Sequence, residues 1–243
     1  MHCLKLFLII LLLPFTSISQ NISAKYSITE NISFNLSGGE KIITVNLTGY
    51  FYKEANKYIY WEHPDYLLKY LKGKLSFNED DKIYLYYLNT DTTQMLFYHD
   101  YDHNFVRMGL FNENQRTITE YPFVPDIADP WVYGTETKII QGLKCQLAVF
   151  PSQWRVWFCP DIQARTSLRG LQGLPGMIVE ADCIPTNEHF KLLDYDLGAK
   201  IDAKVFTPNV FNLPMDKGPL LKSIKPAEGK TKLEKRQELS NQN

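Results

Sequence analysis

The sequence lacks an excess of charge of either sign, and this absence bears on its partners. Its 243 residues include 26 basic and 27 acidic side chains, for a formal net charge of −1 at pH 7. Proteins that bind nucleic acid through its phosphates usually present a clustered basic patch. The balanced composition gives no sign of such a patch, so we expect no nucleic-acid partner.

Recognisable catalytic signatures are also missing. The chain contains no Gly-x-Ser-x-Gly elbow, no His-Glu-x-x-His motif and no phosphate-binding glycine loop. A hydrolase would need a nucleophile and a base, and no such pair can be assigned from the spacing of residues. We therefore predict a non-enzymatic protein without a cofactor, and keep a hydrolase as the least favoured alternative.

Long apolar runs are limited to the start of the chain. A short segment with Lys5 precedes an apolar run at residues 6–15, and small residues follow at Ser17 and Ser19. This order is typical of a secretory signal peptide, and the run is shorter than the roughly 20 residues of a membrane-spanning helix. We predict a signal peptide at residues 1–19, cleaved after Ser19, with an uncleaved anchor as the alternative. The exported chain would have no transmembrane segment.

Cysteine is scarce, and its count limits the disulfides. Cys3 leaves with the predicted signal peptide, so Cys145, Cys159 and Cys183 remain. A hairpin centred on Ser152 would place Cys145 opposite Cys159, at the ~5 Å spacing of cross-strand neighbours. The Cys145–Cys159 pair is thus the first candidate disulfide. The alternatives are a bond from Cys145 or Cys159 to Cys183, or three buried thiols.

What the sequence has in quantity is β-forming residues. Aromatic side chains make up 14% of it, with 15 Tyr and 14 Phe, and these residues favour half-buried strands. Short β-type runs are separated by turn residues; they cover residues 41–52, 82–88, 94–98, 105–111, 116–121, 136–150, 153–158, 175–183 and 189–195. Because short turns connect antiparallel neighbours, we predict a mainly β fold, an antiparallel curved sheet or half-open β-barrel.

Helix signals are few, and one end of the chain differs from the rest. Residues 64–72 begin with Pro64 and end before Gly73, which predicts one short helix. One or two such helices would lie on the concave side of the sheet. Residues 222–243 are almost all polar or charged, and we expect a disordered tail there. Residues 20–221 are thus predicted to form one β-rich domain.

A Gly-Leu-Pro-Gly turn stands between a basic loop and an apolar strand. Pro175 suits the second position of a β-turn, and Gly176 would supply the positive φ that the third position of a type II turn needs. Gly173 precedes this turn, and Leu174 is expected to enter the core. We interpret the four residues as a structural turn motif.

This turn and two earlier stretches resemble the GLPGLI family, exported β-rich proteins of Gram-negative bacteria. The similar stretches are residues 136–148, 157–162 and 173–178, with Met177 where the family usually has Leu. Gln163 and Ser167-Leu168 replace the family's prolines in the connecting loop. The resemblance implies a protein of the periplasm or cell surface, with a fold similar to lipoprotein carriers. It implies no activity, because none is established for the family.

Two groups of side chains are candidate binding residues. His99 and His103 flank two aspartates, and imidazole with carboxylate suits Zn²⁺ or Cu²⁺; the favoured alternative is a polar turn between two strands. Arg155, Arg165 and Arg169 flank the Gly-Leu-Pro-Gly turn and are suited to an anionic headgroup or partner. The alternative for them is three solvated loop arginines.

The sequence thus favours a binding or carrier module of the cell envelope. Its ligand would be an apolar molecule or a peptide held in the curved sheet, in an apolar pocket of a few hundred Å³. The second hypothesis is an accessory partner of an outer-membrane complex. That role predicts an exposed apolar patch at Leu168 and Leu171.

Overall fold

The computed structural model describes residues 20–79, 82–112, 115–122, 131–213 and 215–217. The predicted signal peptide and the predicted tail lie outside these residues. The strands of the described part are β1 (Ile22–Leu36), β2 (Gly39–Glu54), β3 (Lys57–His63), β4 (Lys74–Glu79), β5 (Lys82–Tyr87), β6 (Met95–Asp100), β7 (Phe105–Asn112), β8 (Gln115–Pro122), β9 (Val132–Ile140), β10 (Leu143–Phe150), β11 (Trp154–Cys159), β12 (Met177–Cys183), β13 (Glu188–Leu197) and β14 (Met215–Lys217).

One large sheet contains twelve of these strands, in the order β14-β8-β7-β6-β3-β2-β1-β13-β12-β11-β10-β9. All neighbours are antiparallel except β14, which pairs in parallel with β8. The two end strands do not pair with each other, so the sheet is open. Strands β4 and β5 form a separate two-stranded sheet. The predicted fold class, mainly β with an antiparallel sheet that is not closed, is confirmed.

A tight turn divides the segment at residues 136–150, whose composition predicts a single strand. Residues 136–150 belong to two strands, joined at Gln141 (φ 51°) and Gly142 (φ 79°). Two successive positive φ values are typical of a type I′ turn, whose twist matches that of antiparallel strands. The expectation of a single long arm over residues 136–150 was therefore wrong.

The predicted helix at residues 64–72 is wrong as well. The segment forms two 3₁₀ turns, Asp65–Leu68 and Leu71–Gly73, with Lys72 at φ 52°. Gly73 also has a positive φ, and its carbonyl accepts a hydrogen bond from Leu88 N at 2.8 Å. The chain must turn at once into β4, which leaves no length for an α-helix. No helix of the described residues is long and apolar enough to cross a membrane.

The sheet buries side chains on both faces, and strand β3 shows the division. Tyr58 and Tyr60 are buried in the larger core cluster, whereas Ile59 is buried in a smaller one on the opposite face. Phe206, from the segment after β13, packs into the smaller cluster. The larger cluster includes Leu168 from the loop between β11 and β12. That loop carries the Gly-Leu-Pro-Gly turn, so the motif lies on the larger core.

Candidate functional site

The Gly-Leu-Pro-Gly turn is built differently from the predicted type II turn. Gly173 has a φ of 91°, but Gly176 is absent from the residues with positive φ. A Cβ on Gly176 would lie 2.6 Å from the carbonyl carbon of Cys159 and 2.8 Å from Cα of Pro160. Gly176 is thus required for close approach of two backbones rather than for its φ. The type II assignment was wrong, while the predicted burial of Leu174 is confirmed.

Hydrogen bonds from aromatic side chains hold this turn in place. Trp131 Nε1 donates to the carbonyl of Gln172 at 2.8 Å, and the Tyr133 hydroxyl donates to that of Gly173 at 2.9 Å. The backbone N–H of Met177 donates to the carbonyl of Ile162 at 2.8 Å. The turn is therefore bonded to the residues at the start of β9 on one side and to the loop after β11 on the other.

A cleft of about 410 Å³ opens beside the turn. Leu174 and Pro175 form part of its wall, and residues from the start of β1, the β2–β3 turn and the loop after β11 complete it. The lining residues are Gln20, Ile22, Lys53, Ala55, Asn56, Tyr58, Asp161, Gln163, Ala164, Arg165, Leu174 and Pro175. The cleft has the expected size of a few hundred Å³, but its lining is mixed, so the prediction of an apolar pocket is wrong for this cleft.

Three charged side chains line the cleft. Lys53 is only 4% exposed, and its Nζ donates to the carbonyl of Gln20 at 2.6 Å. Burial lowers the pKa of Lys53. Arg165 lies with its guanidinium carbon 5.6 Å from the ring centre of Tyr101. Asp161 supplies the one negative charge, so the cleft carries a formal charge of +1 and is suited to an anionic group.

The three candidate arginines do not act together. Arg165 lines the cleft, whereas Arg155 is exposed on β11, opposite Asp182 of β12. Arg169 does not line the cleft, and its side chain is only 13% exposed. Its φ of 47° places it in the left-handed region, where a residue with a side chain is strained. The alternative of solvated arginines is therefore wrong for Arg169.

Arg169 binds two buried carboxylates at once. Its Nε and Nη2 donate to Glu62 at 2.7 and 3.0 Å, and its Nη1 and Nη2 donate to Glu188 at 2.6 Å each. The Tyr60 hydroxyl donates to Glu62 at 2.8 Å, and the guanidinium carbon lies 4.8 Å from the ring centre of Phe190. Bidentate pairing of this kind matches the planar guanidinium fork.

The charges of this buried cluster perturb one another. Burial alone would lower the pKa of Arg169, but the Glu62 and Glu188 carboxylates outweigh it and the pKa is raised. Burial, followed by repulsion from Glu188, raises the pKa of Glu30.

Glu62 follows Tyr58 and Tyr60 at alternate positions of β3, so its core-facing side could be read from the sequence. Its partner on a distant loop could not.

The two candidate histidines differ in how far their side chains are buried. His99 is 3% exposed, and its Nδ1 has no hydrogen-bond partner in the described part of the chain. His103 lies in the turn between β6 and β7, where its Nδ1 is 2.9 Å from Asp100 Oδ2. Among the described residues, no group of three or more His, Cys, Asp and Glu side chains is arranged to hold a metal ion. The structure thus places His99 on a buried strand and His103 on the polar turn that follows it.

The predicted hairpin between Cys145 and Cys159 is present. Phe150 pairs with Trp154 and Gln146 with Phe158, so the hairpin is centred on Ser152. The same register, continued by one position, would place Cys145 opposite Cys159. Both are buried free thiols, and burial raises the pKa of Cys145 to about 11.

The alternative pairing with Cys183 is wrong. Cys183 pairs with Trp154, at the opposite end of β11 from Cys159, and it too is a buried free thiol. Five residues of extended strand separate those ends, or roughly 17 Å at 3.3–3.4 Å per residue. The Cys145–Cys159 disulfide stays a prediction.

Comparisons with known proteins place the chain in no family. No protein-family model matches it, and no curated protein matches it. Two crystal forms of PNGF-II align with 82% and 83% of this chain at 12% and 15% identity, with TM-scores of 0.47 and 0.49. A DUF1329 family protein from Desulfovibrio piger aligns with 78% of this chain and 90% of its own, at 9% identity and a TM-score of 0.28. This chain spans 31% of the length of PNGF-II. All these TM-scores are below 0.5, so the likenesses support no inference about function.

Proposed function

We propose that this protein is an exported, non-enzymatic binding module of a Gram-negative cell envelope, in the periplasm or at the cell surface. Its ligand would be a small amphipathic molecule with an anionic group, held in the cleft beside the Gly-Leu-Pro-Gly turn. The observation that carries this proposal is the cleft itself, with Lys53 and Arg165 in its lining. Export and the GLPGLI resemblance belong to the same proposal and depend on sequence features alone.

The lining of the cleft suggests which residues would contact the charged part of such a ligand and which the apolar part. Lys53 and Arg165 offer two cationic donors, and a charge-assisted hydrogen bond to an anion is stronger than a neutral one. Ile22 and Leu174 offer apolar surface in the same cleft. A volume of about 410 Å³ is within the range of small-molecule sites. The mixed lining favours a short amphipathic ligand over the wholly apolar one first expected.

The accessory-partner hypothesis loses the surface it required. Leu168 is 0% exposed and packs in the core, and Leu171 is partly buried. The predicted apolar patch at these two residues was therefore wrong. A docking role would need another surface, and the cleft remains the feature that best supports a function.

Calorimetry with a defined probe tests the binding proposal. We expect octanoate to bind in the cleft, and octylamine, which has a similar chain and the opposite charge, to bind much more weakly. Lys53→Met and Arg165→Gln should each weaken octanoate binding by about 10- to 100-fold, since a charged hydrogen bond contributes roughly 1.5–3 kcal/mol. The matched control is Arg155→Gln, which removes an exposed cation outside the cleft and should leave binding unchanged.

Native mass spectrometry of protein purified from its host would look for a retained ligand. Equal binding of octanoate and octylamine would contradict the proposed anionic specificity. An equal loss of affinity in Arg155→Gln would show that general surface charge, rather than the cleft, attracts the probe. Circular dichroism of each variant confirms that the fold is retained before affinities are compared.

A further inference from the structure

Gln20 lies at the edge of the cleft, just before β1 begins. Its carbonyl accepts the hydrogen bond from the buried Lys53 ammonium at 2.6 Å. The next residue is tied down on both sides: Asn21 Nδ2 donates to the carbonyl of Ala199 at 3.4 Å, and Gly198 N donates to that of Asn21 at 2.8 Å. The backbone at Gln20 is therefore held against Lys53.

The predicted cleavage after Ser19 would make Gln20 the first residue of the exported chain. Its α-nitrogen would then be an ammonium group, one residue's length from the carbonyl that binds Lys53. The other charged side chains of the cleft are Arg165 and Asp161, so three cations would face one anion. Lys53 is already 4% exposed, and a second cation close to it is unfavourable because a partly buried site screens charge less than water does.

We propose that Gln20 becomes the mature N-terminus and cyclises to pyroglutamate, which removes this positive charge from the cleft. The unprotonated α-amine attacks Cδ of its own side-chain carboxamide. A new N–Cδ bond forms, the Cδ–Nε2 bond breaks, and ammonia leaves with the proton that the amine gives up. The reaction is intramolecular and needs no oxidant or second substrate.

The surroundings of Gln20 permit this reaction. The residue is exposed, and within the described part of the chain no hydrogen bond is made by its side-chain carboxamide, which is free to fold back onto the α-nitrogen. The main-chain carbonyl takes no part in the cyclisation, so its hydrogen bond from Lys53 is retained in the product. The lactam N–H that results is neutral. This inference goes beyond the proposed binding function and shares with it only the predicted export.

Mass spectrometry of the protein from its host's cell envelope tests the modification. We expect an N-terminal peptide that begins at Gln20, lacks one ammonia and becomes accessible to stepwise degradation only after treatment with pyroglutamyl peptidase. A free amine at Gln20, or a mature N-terminus at any other residue, would overturn the proposal. The binding proposal would stand in either case if the octanoate experiment succeeds.

A second measurement tests the role of the charge. The same chain can be released from a fusion so that it begins with uncyclised Gln20, and its Tm compared with that of the cyclised form. Below the usual α-amino pKa of about 8, the cyclised form should melt about 2–4 °C higher. The difference should shrink above that pH, and it should shrink in Lys53→Met at every pH. Equal melting of the two forms below that pH would refute the charge argument.

Discussion

His99 lies on strand β6 with its imidazole ring buried. It stands among aspartates and a second histidine, but the strand buries its ring and leaves the other histidine on a turn. Burial lowers the pKa of His99 from 6.5 to about 4, because an imidazolium would lose its hydration there. Its chemistry is thus that of a neutral core side chain.

This pKa shift makes stability depend on pH. In the unfolded chain His99 takes up a proton near pH 6.5, whereas in the folded chain it does so only near pH 4. The unfolded state therefore binds more protons between these values, and stability falls as the pH is lowered through this window. The loss from this residue should reach about 3 kcal/mol near pH 4.

Urea unfolding at several pH values measures this contribution. A His99→Gln variant should show a smaller loss of stability between pH 6.5 and 4, while His103→Gln, at the exposed position, should keep the slope of the natural chain. If both variants lose stability in parallel with the natural chain, His99 does not titrate as its burial implies.

At the scale of elements, the β10–β11 hairpin connects the Cys145 and Cys159 region with the Gly-Leu-Pro-Gly turn. Its turn at Ser152 sets the register, and the register, continued by one position, would place Cys145 opposite Cys159. The same hairpin ends where Gly176 packs on the carbonyl of Cys159. A change in this register would therefore displace both the cysteines and the Gly-Leu-Pro-Gly turn.

We predict that Cys145 and Cys159 form a disulfide in the oxidising conditions of an exported protein. Alkylation under non-reducing conditions should then label Cys183 alone, and all three thiols after reduction. Closing a loop of about 15 residues stabilises a protein by about 3 kcal/mol in the chain-entropy model. Reduction should lower the free energy of unfolding by a similar amount.

The Cys145→Ala variant is the control for this effect, because reduction should leave its stability unchanged. A Cys183→Ala variant should keep the response of the natural chain. Labelling of all three cysteines in protein taken directly from the host would contradict the disulfide.

At the scale of the whole molecule, Arg169 connects parts of the sheet that are far apart in the chain. Glu62 belongs to β3 and Glu188 to β13, and β2 and β1 lie between those strands. Three strand spacings of 4.7–4.9 Å give about 14 Å, a distance that two glutamate side chains and one guanidinium can cover. The loop that holds the Gly-Leu-Pro-Gly turn is thus fastened across the middle of the sheet.

Removing Arg169 should be strongly destabilising. Arg169→Met would leave Glu62 and Glu188 as buried charges without their cation, and breaking a buried pair in this way costs about 3–5 kcal/mol. Arg155→Gln, at an exposed site, should change the free energy of unfolding by no more than about 0.5 kcal/mol. Urea unfolding of both variants provides the measurement.

The triple variant Arg169→Met, Glu62→Gln, Glu188→Gln separates charge from packing. It should recover part of the lost stability, because no unpaired carboxylate remains. If Arg169→Met is as stable as the natural chain, the cluster does not hold the loop to the sheet.

The predictions fall into two groups, those that depend on local sequence signals and those that depend on long-range contacts. The runs at residues 105–111 and 116–121 were recognised because apolar and β-branched residues are concentrated there. Strand β1 was missed, although Ile22, Ala24, Tyr26 and Ile28 alternate as buried residues, because Ser and Asn near them suggest turns. The helix at residues 64–72 was predicted from its end signals, but the turn into β4 prevailed.

The sequence by itself determined the fold class, the hairpin centred on Ser152 and the burial of Leu174, because alternation and turn chemistry act over a few residues. Only the tertiary structure decided that Arg169 lies between Glu62 and Glu188, and that Lys53 and Arg165 line one cleft. The pairing of Arg169 with Glu62, and the placement of Lys53 beside Arg165 in the cleft lining, join segments more than a hundred residues apart. Their partners are set by which strands become neighbours, and no local pattern records that choice.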